Sequence, residues 1–368
     1  MNPKRQKVLI IKVGYSETLD PEISNVTSYG DVIRTTVLLN LYKKDHVTWL
    51  VDESAYPILK NNPYIDRVLI YDLTSALQLQ SEHFDTVINL EKVPGLCALA
   101  DQVTAWRRYG FRFDVKKGEA EAYEGTQKAL SMCLDEDKKK KGKKYWQEHL
   151  FEMVGARWHN QEYVFGYEPK GAEKYDVGFN YRVGNKWPSK VWSMSNWKRL
   201  ETLLRKDRSV SWQEGLDNME QYFEWINSCR VIVTNDSFGL HLAIALKKKI
   251  VAIYGSTGAN EIYLYGLGSI FVPTDGACSE APCYLPQCKY DRKLCDVPCE
   301  DVYAEICRIL DKGPRAVSRQ IAVARRSRED VMRDRTKRIA AEFADEHQRR
   351  EDKSVVGSVT MRGDTFAE

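Results

Sequence analysis

Apolar residues in this chain fall in short unbroken runs, set between stretches of helical spacing. Lys7 to Val13 (KVLIIKV), Val47 to Val51 (VTWLV), Arg67 to Asp72 (RVLIYD) and Phe84 to Leu90 (FDTVINL) read as strands. A strand buried on both faces of a parallel sheet is apolar throughout rather than at alternate positions. Between these runs, Gly30-Asp31 opens a helical pattern carried by Val32, Ile33, Val37, Leu38 and Leu41, and a second helix leads up to Pro57-Ile58-Leu59. Lys143 to Val154 is helical again, and Pro169-Lys170-Gly171 reads as a linker. The alternation then resumes. Val177 to Asn180 is a first strand, Ser195 caps a helix through Trp197, Leu200, Leu203 and Leu204, and Asp301 to Leu310 forms a last helix. Strands and helices alternating in two successive halves predict an α/β chain with two doubly wound parallel sheets.

One strand–helix–strand unit carries the most chemistry. Val231-Ile232-Val233 is a buried strand, Asn235, Asp236 and Ser237 are strong N-caps, Gly239 to Leu246 is helical, and Ile250 to Tyr254 is the next strand. Three lysines, Lys247 to Lys249, suit the C-terminal end of that helix. The strand-to-helix turn brings a carboxylate, small residues and a histidine to a helix start, where free amide groups suit a diphosphate. An ordinary capped helix fits the same spacing.

Bulk properties narrow the class. The 368 residues are 43% hydrophobic and 29% charged with a net charge of +3, which fits two globular domains and gives no general argument for nucleic acid. No apolar run reaches the roughly 18 residues of a membrane span, and the N-terminus lacks a signal-peptide core, so a cytoplasmic chain is expected. Of nine cysteines, five lie between Cys278 and Cys299, a cluster that in a reducing compartment suggests metal or buried thiols more than disulfides. Lys116 to Lys144 contains the run Asp135 to Lys141 and reads as an excursion with a solvated charged face. Beyond Gly313-Pro314 the sequence turns rich in arginine and acidic residues, a charged helical tail that could touch an anionic inner-membrane surface, with disorder expected from Lys353.

NDSFGLHLAIALKKKIVAIYGST resembles the donor-site motif of glycosyltransferase family 9, the heptosyltransferase-like enzymes. Gly30-Asp31, Trp49-Leu50-Val51, Asn62 to Asp66 and the segment Lys186 to Trp192, in which Lys190 is the matching lysine, resemble further family motifs, so that the likeness spans roughly residues 7 to 310. Gly239 falls one place later than usual, and the loop before Gly30 is longer than the family's.

The resemblance implies a GT-B architecture: two Rossmann-like domains facing a central cleft, with residues 1–168 binding the acceptor and 169–312 binding a nucleotide-sugar. A tail, 313–368, would follow. It implies an inverting transfer, needing no cofactor, of a sugar from a nucleotide-diphosphate donor such as ADP-heptose. The acceptor hydroxyl would belong to a glycan, a lipid-linked saccharide such as lipopolysaccharide, or a protein. Asp31 would be the general base, although a helix cap suits its position equally well. Lys190, Asp236, Ser237, Phe238, Gly239, Leu240, His241, Thr257 and Glu261 would hold the donor, with Glu214 the nearest match to the family's ribose-binding glutamate. Lys190 read without the resemblance is a surface lysine. Some relatives hold a metal on a four-cysteine segment, which here corresponds to Cys278, Cys283, Cys288 and Cys295 and would take a structural Zn or Fe. A nucleotide-sugar 2-epimerase of the same architecture and a non-catalytic assembly protein are the competing readings.

Overall fold

The computed structural model describes residues 5–15, 26–184, 186–273, 281–288, 297–312 and 321–323. The first half runs β1 (Lys7–Ile11), α1 (Tyr29–Thr35), β2 (His46–Val51), α2 (Tyr56–Leu59), β3 (Arg67–Ile70), α3 (Leu73–Gln80), β4 (His83–Asn89), α4 (Pro94–Gln102), β5 (Thr104–Asp114), β6 (Glu119–Ala122), α5 (Gln127–Leu134), α6 (Glu136–Lys140) and α7 (Trp146–Met153). The second runs β7 (Tyr175–Asn180), α8 (Met194–Leu204), β8 (Val210–Trp212), α9 (Met219–Asn227), β9 (Cys229–Asn235), α10 (Phe238–Ala245), β10 (Lys249–Ile253), β11 (Gly268–Val272), α11 (Cys299–Lys312) and β12 (Ile321–Val323). Two six-stranded sheets result, in the orders β3-β2-β1-β4-β5-β6 and β12-β11-β10-β9-β7-β8. All neighbours are parallel except β5 and β6. These are two Rossmann-like sheets, as the alternation of runs and helical spacing implied.

Alternate residues of the apolar runs serve different cores, as the twofold period of a strand requires. In β1, Val8 and Ile10 join a buried cluster that draws on both halves, with Ile33, Trp49 and Phe151 from the first and Phe223, Leu240 and Ala243 from the second. Leu9 and Ile11 point the other way, to Phe84, Leu96 and Val103. In β9, Ile232 faces the shared cluster, while Val231 and Val233 pack with Trp192, Trp197 and Ile306.

Several local expectations are corrected. The helix from Gly30 is α-helical only to Thr35 and continues as a 3-10 segment, Thr36–Leu41. The hydroxyls of Thr35 and Thr36 bond back to the carbonyls of Asp31 and Ile33 at 2.7 and 2.6 Å, a pattern that bends helices. Ser193 rather than Ser195 caps α8, its side chain accepting the Asn196 amide. Lys247, at φ 56, is the left-handed residue that stops α10, and Lys249 already belongs to β10. The charged excursion contains β6, which pairs with β5, together with α5 and α6. Within the stretch expected as a helical tail, Ile321–Val323 is a strand paired with β11. The remainder of that stretch beyond 323 lies outside the described residues.

Strand order reverses between β1 and β4 in the first sheet and between β7 and β9 in the second. Crevices open at the carboxyl ends of strands at such reversals. They fall at Lys12 and Glu91 in one half, and at Asn180 and Asp236 in the other.

Candidate active site

The start of α1 meets the start of α10. Gly30 is so close to His241 that a Cβ at position 30 would lie 2.9 Å from its Cδ2. Around this contact a cleft of about 220 Å³ is lined by Asp31, Lys186, Lys190, Asp236, Ser237, Phe238, His241, Thr257 and Glu261, among others. Most residues expected to act on donor or acceptor are thus brought together.

Asp31 sits in the first turn of α1 and is 5% exposed. Its Oδ1 pairs with Arg34 Nη2 at 3.1 Å. Oδ2 is buried with no hydrogen-bond partner among the described residues. Burial raises its pKa above the usual carboxylate value, and the positive charges of Lys12 and Lys186 work against that rise. Lys12 is itself held by a fully buried Glu91 at 3.2 Å, and Lys186 Nζ donates to the Val26 carbonyl at 2.6 Å.

Asp236 follows β9 and accepts from Lys190 Nζ and from the Thr257 hydroxyl, each at 2.7 Å. Although burial opposes it, the Lys190 ammonium holds this carboxyl down at about 2. The side chains expected to cap α10 are therefore engaged elsewhere. Ser237, the residue in the cap position, makes no side-chain cap bond, and its hydroxyl accepts from the Asn180 amide at 2.9 Å. A Cβ at Gly239 would collide with that same amide, so only glycine fits there. Phe238 packs between Tyr29 and Tyr222, at 5.5 and 5.6 Å between ring centroids.

His241 is 5% exposed, and its Nδ1 lies 3.2 Å from the Tyr163 hydroxyl. Burial and the neighbouring Arg34 charge lower its pKa to about 3, so the ring is neutral at neutral pH. If the tyrosine hydroxyl donates to Nδ1, the proton sits on Nε2 and the ring is a neutral donor there.

Two expected residues are placed differently. Leu240 is buried in the shared core, and its amide bonds to the Ser237 carbonyl at 3.1 Å. The amides at this helix start without an intrahelical acceptor are those of Phe238 and Gly239. Glu214 is exposed, accepts from the Tyr181 hydroxyl at 3.2 Å and does not line the cleft. Beside it a more open groove of about 370 Å³ is lined by Gln213, Asp217, Asn218, Tyr222 and Phe238. Of the four cysteines expected to hold metal, Cys278 and Cys295 lie outside the described residues, whereas Cys283 is buried and Cys288 half-buried. No cluster of metal-ligating side chains occurs among the described residues.

Sequence reasoning missed Arg34 and Tyr163, and gave no role to Lys186, which lies in the same segment as Lys190. Arg34 stands three residues after Asp31, on the same helix face, which is a usable signal. Tyr163 comes from the irregular segment between the sheets, where no period marks it.

Two Rossmann-like sheets, with a carboxylate at one switch point and a diphosphate-type turn at the other, make up a GT-B-like architecture. Residues 215–291 match the family model described as Glycosyltransferase family 9 (heptosyltransferase), the family whose motifs the sequence resembles. Solved structures with the same fold include E. coli ADP-heptose LPS heptosyltransferase II (15% identity, TM-score 0.59, covering 83% of this chain and 99% of that one). A family 9 glycosyltransferase from Veillonella parvula is also similar (16% identity, TM-score 0.57, 84% and 98%). No curated protein sequence matches. No helix among the described residues is long and apolar enough to cross a membrane.

Proposed function

We propose that this glycosyltransferase moves a heptose from ADP-heptose to a hydroxyl group of a saccharide acceptor, by one inverting displacement and without a divalent metal. The observation that carries the reading is the junction of α1 and α10. It sets the unpartnered Oδ2 of Asp31 in the same cleft as the Lys190–Asp236 pair, His241 and the open amides of α10. The named neighbour from E. coli, an ADP-heptose enzyme of the same fold, supports the choice of donor.

In this reading Asp31 accepts the proton of the attacking hydroxyl, for which a buried carboxylate with a raised pKa is well suited. Asp236 orients the Lys190 ammonium, whose remaining N–H groups face the donor diphosphate. Together with neutral His241 and the Phe238 and Gly239 amides, they offset charge building on the leaving nucleotide. The nucleoside lies in the groove of Gln213, Asp217 and Asn218. Its aromatic wall, Tyr222 and Phe238, adjoins the cleft. Glu214 would be replaced in that role by a neighbour on the same turn.

A thermal-shift panel of ADP, GDP, UDP, CDP and TDP, with magnesium or EDTA, tests donor and metal together. A ligand specific to the folded state adds about 2.7 kcal/mol at a hundredfold over its Kd. The expected outcome is a midpoint rise with ADP that EDTA leaves unchanged. A response to another diphosphate alone would change the donor, and conversion of the sugar nucleotide without any acceptor would turn the reading to an epimerase.

A further inference from the structure

Asp31 has a second buried carboxylate close by that the reaction above does not use. Glu91 follows β4, where the strand order reverses, and is fully buried. Its backbone is fixed. The Glu91 amide donates to Asn89 Oδ1 at 3.0 Å, and its carbonyl accepts the Asn89 side-chain amide at 3.1 Å and the Cys97 thiol at 3.2 Å. Oε1 accepts the Gly14 amide at 2.7 Å and pairs with Lys12 Nζ at 3.2 Å, while Oε2 is buried with no hydrogen-bond partner among the described residues. A buried ion pair adds little stability over apolar side chains of the same volume, so its place at a switch point calls for another reason.

Two routes lead from Glu91 to Asp31. One runs through the backbone. Gly14, at φ 100, is held by Glu91 through its amide; its carbonyl accepts the Ser28 amide at 2.7 Å, and the Ser28 carbonyl accepts the Asp31 amide at 3.1 Å. Ser28 is the N-cap residue of α1, so Glu91 anchors the end of the loop from which α1 starts. The other route is charge. Lys12 is 4% exposed, and its ammonium favours the ionised form of both carboxylates. Asp31 is also faced by Lys186 and the Ser28 hydroxyl, which favour its charge, and is paired with Arg34, whereas Glu91 opposes it. Around Glu91 stand Lys92, which favours its charge, and Tyr15 and Cys97, whose ionisation that charge opposes. Lys12 is thus one ammonium shared between two carboxylates.

We infer that Glu91 is a positioning residue for the general base: it engages the Lys12 ammonium that would otherwise neutralise Asp31, and it fixes the turn from which α1 carries Asp31 into the cleft. The inference rests on the transferase reading above and assigns to that site a residue outside the lining of the cleft. A carboxylate over-stabilised by cations is a weak proton acceptor, and Arg34 and Lys186 already supply two. With a counter-charge of its own in Glu91, Lys12 supports the carboxylate without capturing it. A glutamine at position 91 could still accept the Gly14 amide through its side-chain carbonyl, but only a charge can hold Lys12. The two routes are therefore separable.

The test reads the Asp31 carboxyl directly, by carbon-13 titration of the full chain labelled at aspartate, its signal assigned by its absence in Asp31→Asn. Glu91→Gln should move the Asp31 midpoint down, because Lys12 then serves Asp31 alone. Lys12→Met should move it up. Opposite shifts from two substitutions in one pair are the mark of charge; a merely structural disturbance moves neither, or both the same way. If Glu91→Gln does not fold, the step from Lys12→Met to the double variant, in which no buried charge is stranded, should still be downward. An unmoved midpoint, shifts of the same sign, or a double-variant step that is absent or upward overturns the inference. The ADP thermal shift is followed on the same samples. An ADP response with an unmoved Asp31 overturns the role of Glu91 alone. The expected shifts in a chain that ignores ADP leave the coupling intact and overturn the transferase reading on which its purpose rests.

Discussion

Asp31 has one carboxylate oxygen committed to Arg34 and the other uncommitted, a division that separates holding the side chain from using it. Asp31→Asn should keep the fold and ADP binding and lower the transfer rate by about 10²–10⁴-fold, as loss of a general base does. In the unmodified enzyme the acid limb of kcat/KM should lie above the ordinary carboxylate range, because burial raises this pKa. His241 acts on stability with a defined sign. Folded, it takes a proton only near pH 3, whereas in the unfolded chain it does so at about 6.5. Between those values the unfolded state binds the extra proton. Folding stability from this source is therefore fully present above 6.5 and declines as pH falls toward 3. Comparing urea midpoints at pH 7 and pH 5 should show a smaller drop in His241→Gln than in the unmodified chain. Buried His149, lowered in the same direction, retains part of the slope.

Among elements, the loop before α8 and the turn before α10 are joined by Lys190 and Asp236, with side chains 18% and 13% exposed. Removing one member strands the other's charge. Lys190→Met and Asp236→Asn should each cost about 2–3 kcal/mol, somewhat less than a fully buried pair because water still reaches both. The double variant should cost less than the sum, read from denaturant midpoints. This pair was legible in the sequence, since each residue sits in a short motif beside an element boundary. So were the strands, whose runs are long enough to state that both faces are buried. β8 was not legible: three residues, Val210–Trp212, carry no period. Its register, with Phe179 opposite Trp212, leaves Glu214 where the chain turns outward at Gly215, and a linear reading could not see that turn. The Lys138–Lys141 run misled for a different reason. A charge run is ordinarily solvated, and only the packing of α6 beside Glu261 and Tyr284 puts Lys139 and Lys140 on a cavity wall.

For the molecule as a whole, the residues that escaped sequence reasoning are those assembled by topology. Lys92 follows β4, His149 belongs to α7 and Tyr163 to the connecting segment, so nothing in their spacing announces that they gather near one cleft. The shared apolar core, with Ile33 on one side and Leu240 and Ala243 on the other, is likewise invisible until both sheets are placed. That closeness gives the missing side chain of Gly30 a use. A methyl group there would press on the His241 ring at 2.9 Å, at the very point where the two halves touch. Gly30→Ala would work as a wedge, prying the helix starts apart by a few tenths of an ångström while leaving every polar group of the cleft in place. Its signature should be a raised KM for both substrates with a smaller change in donor-only binding. Substitution by progressively larger residues would then calibrate how much separation the reaction tolerates, a ruler for this enzyme's working gap.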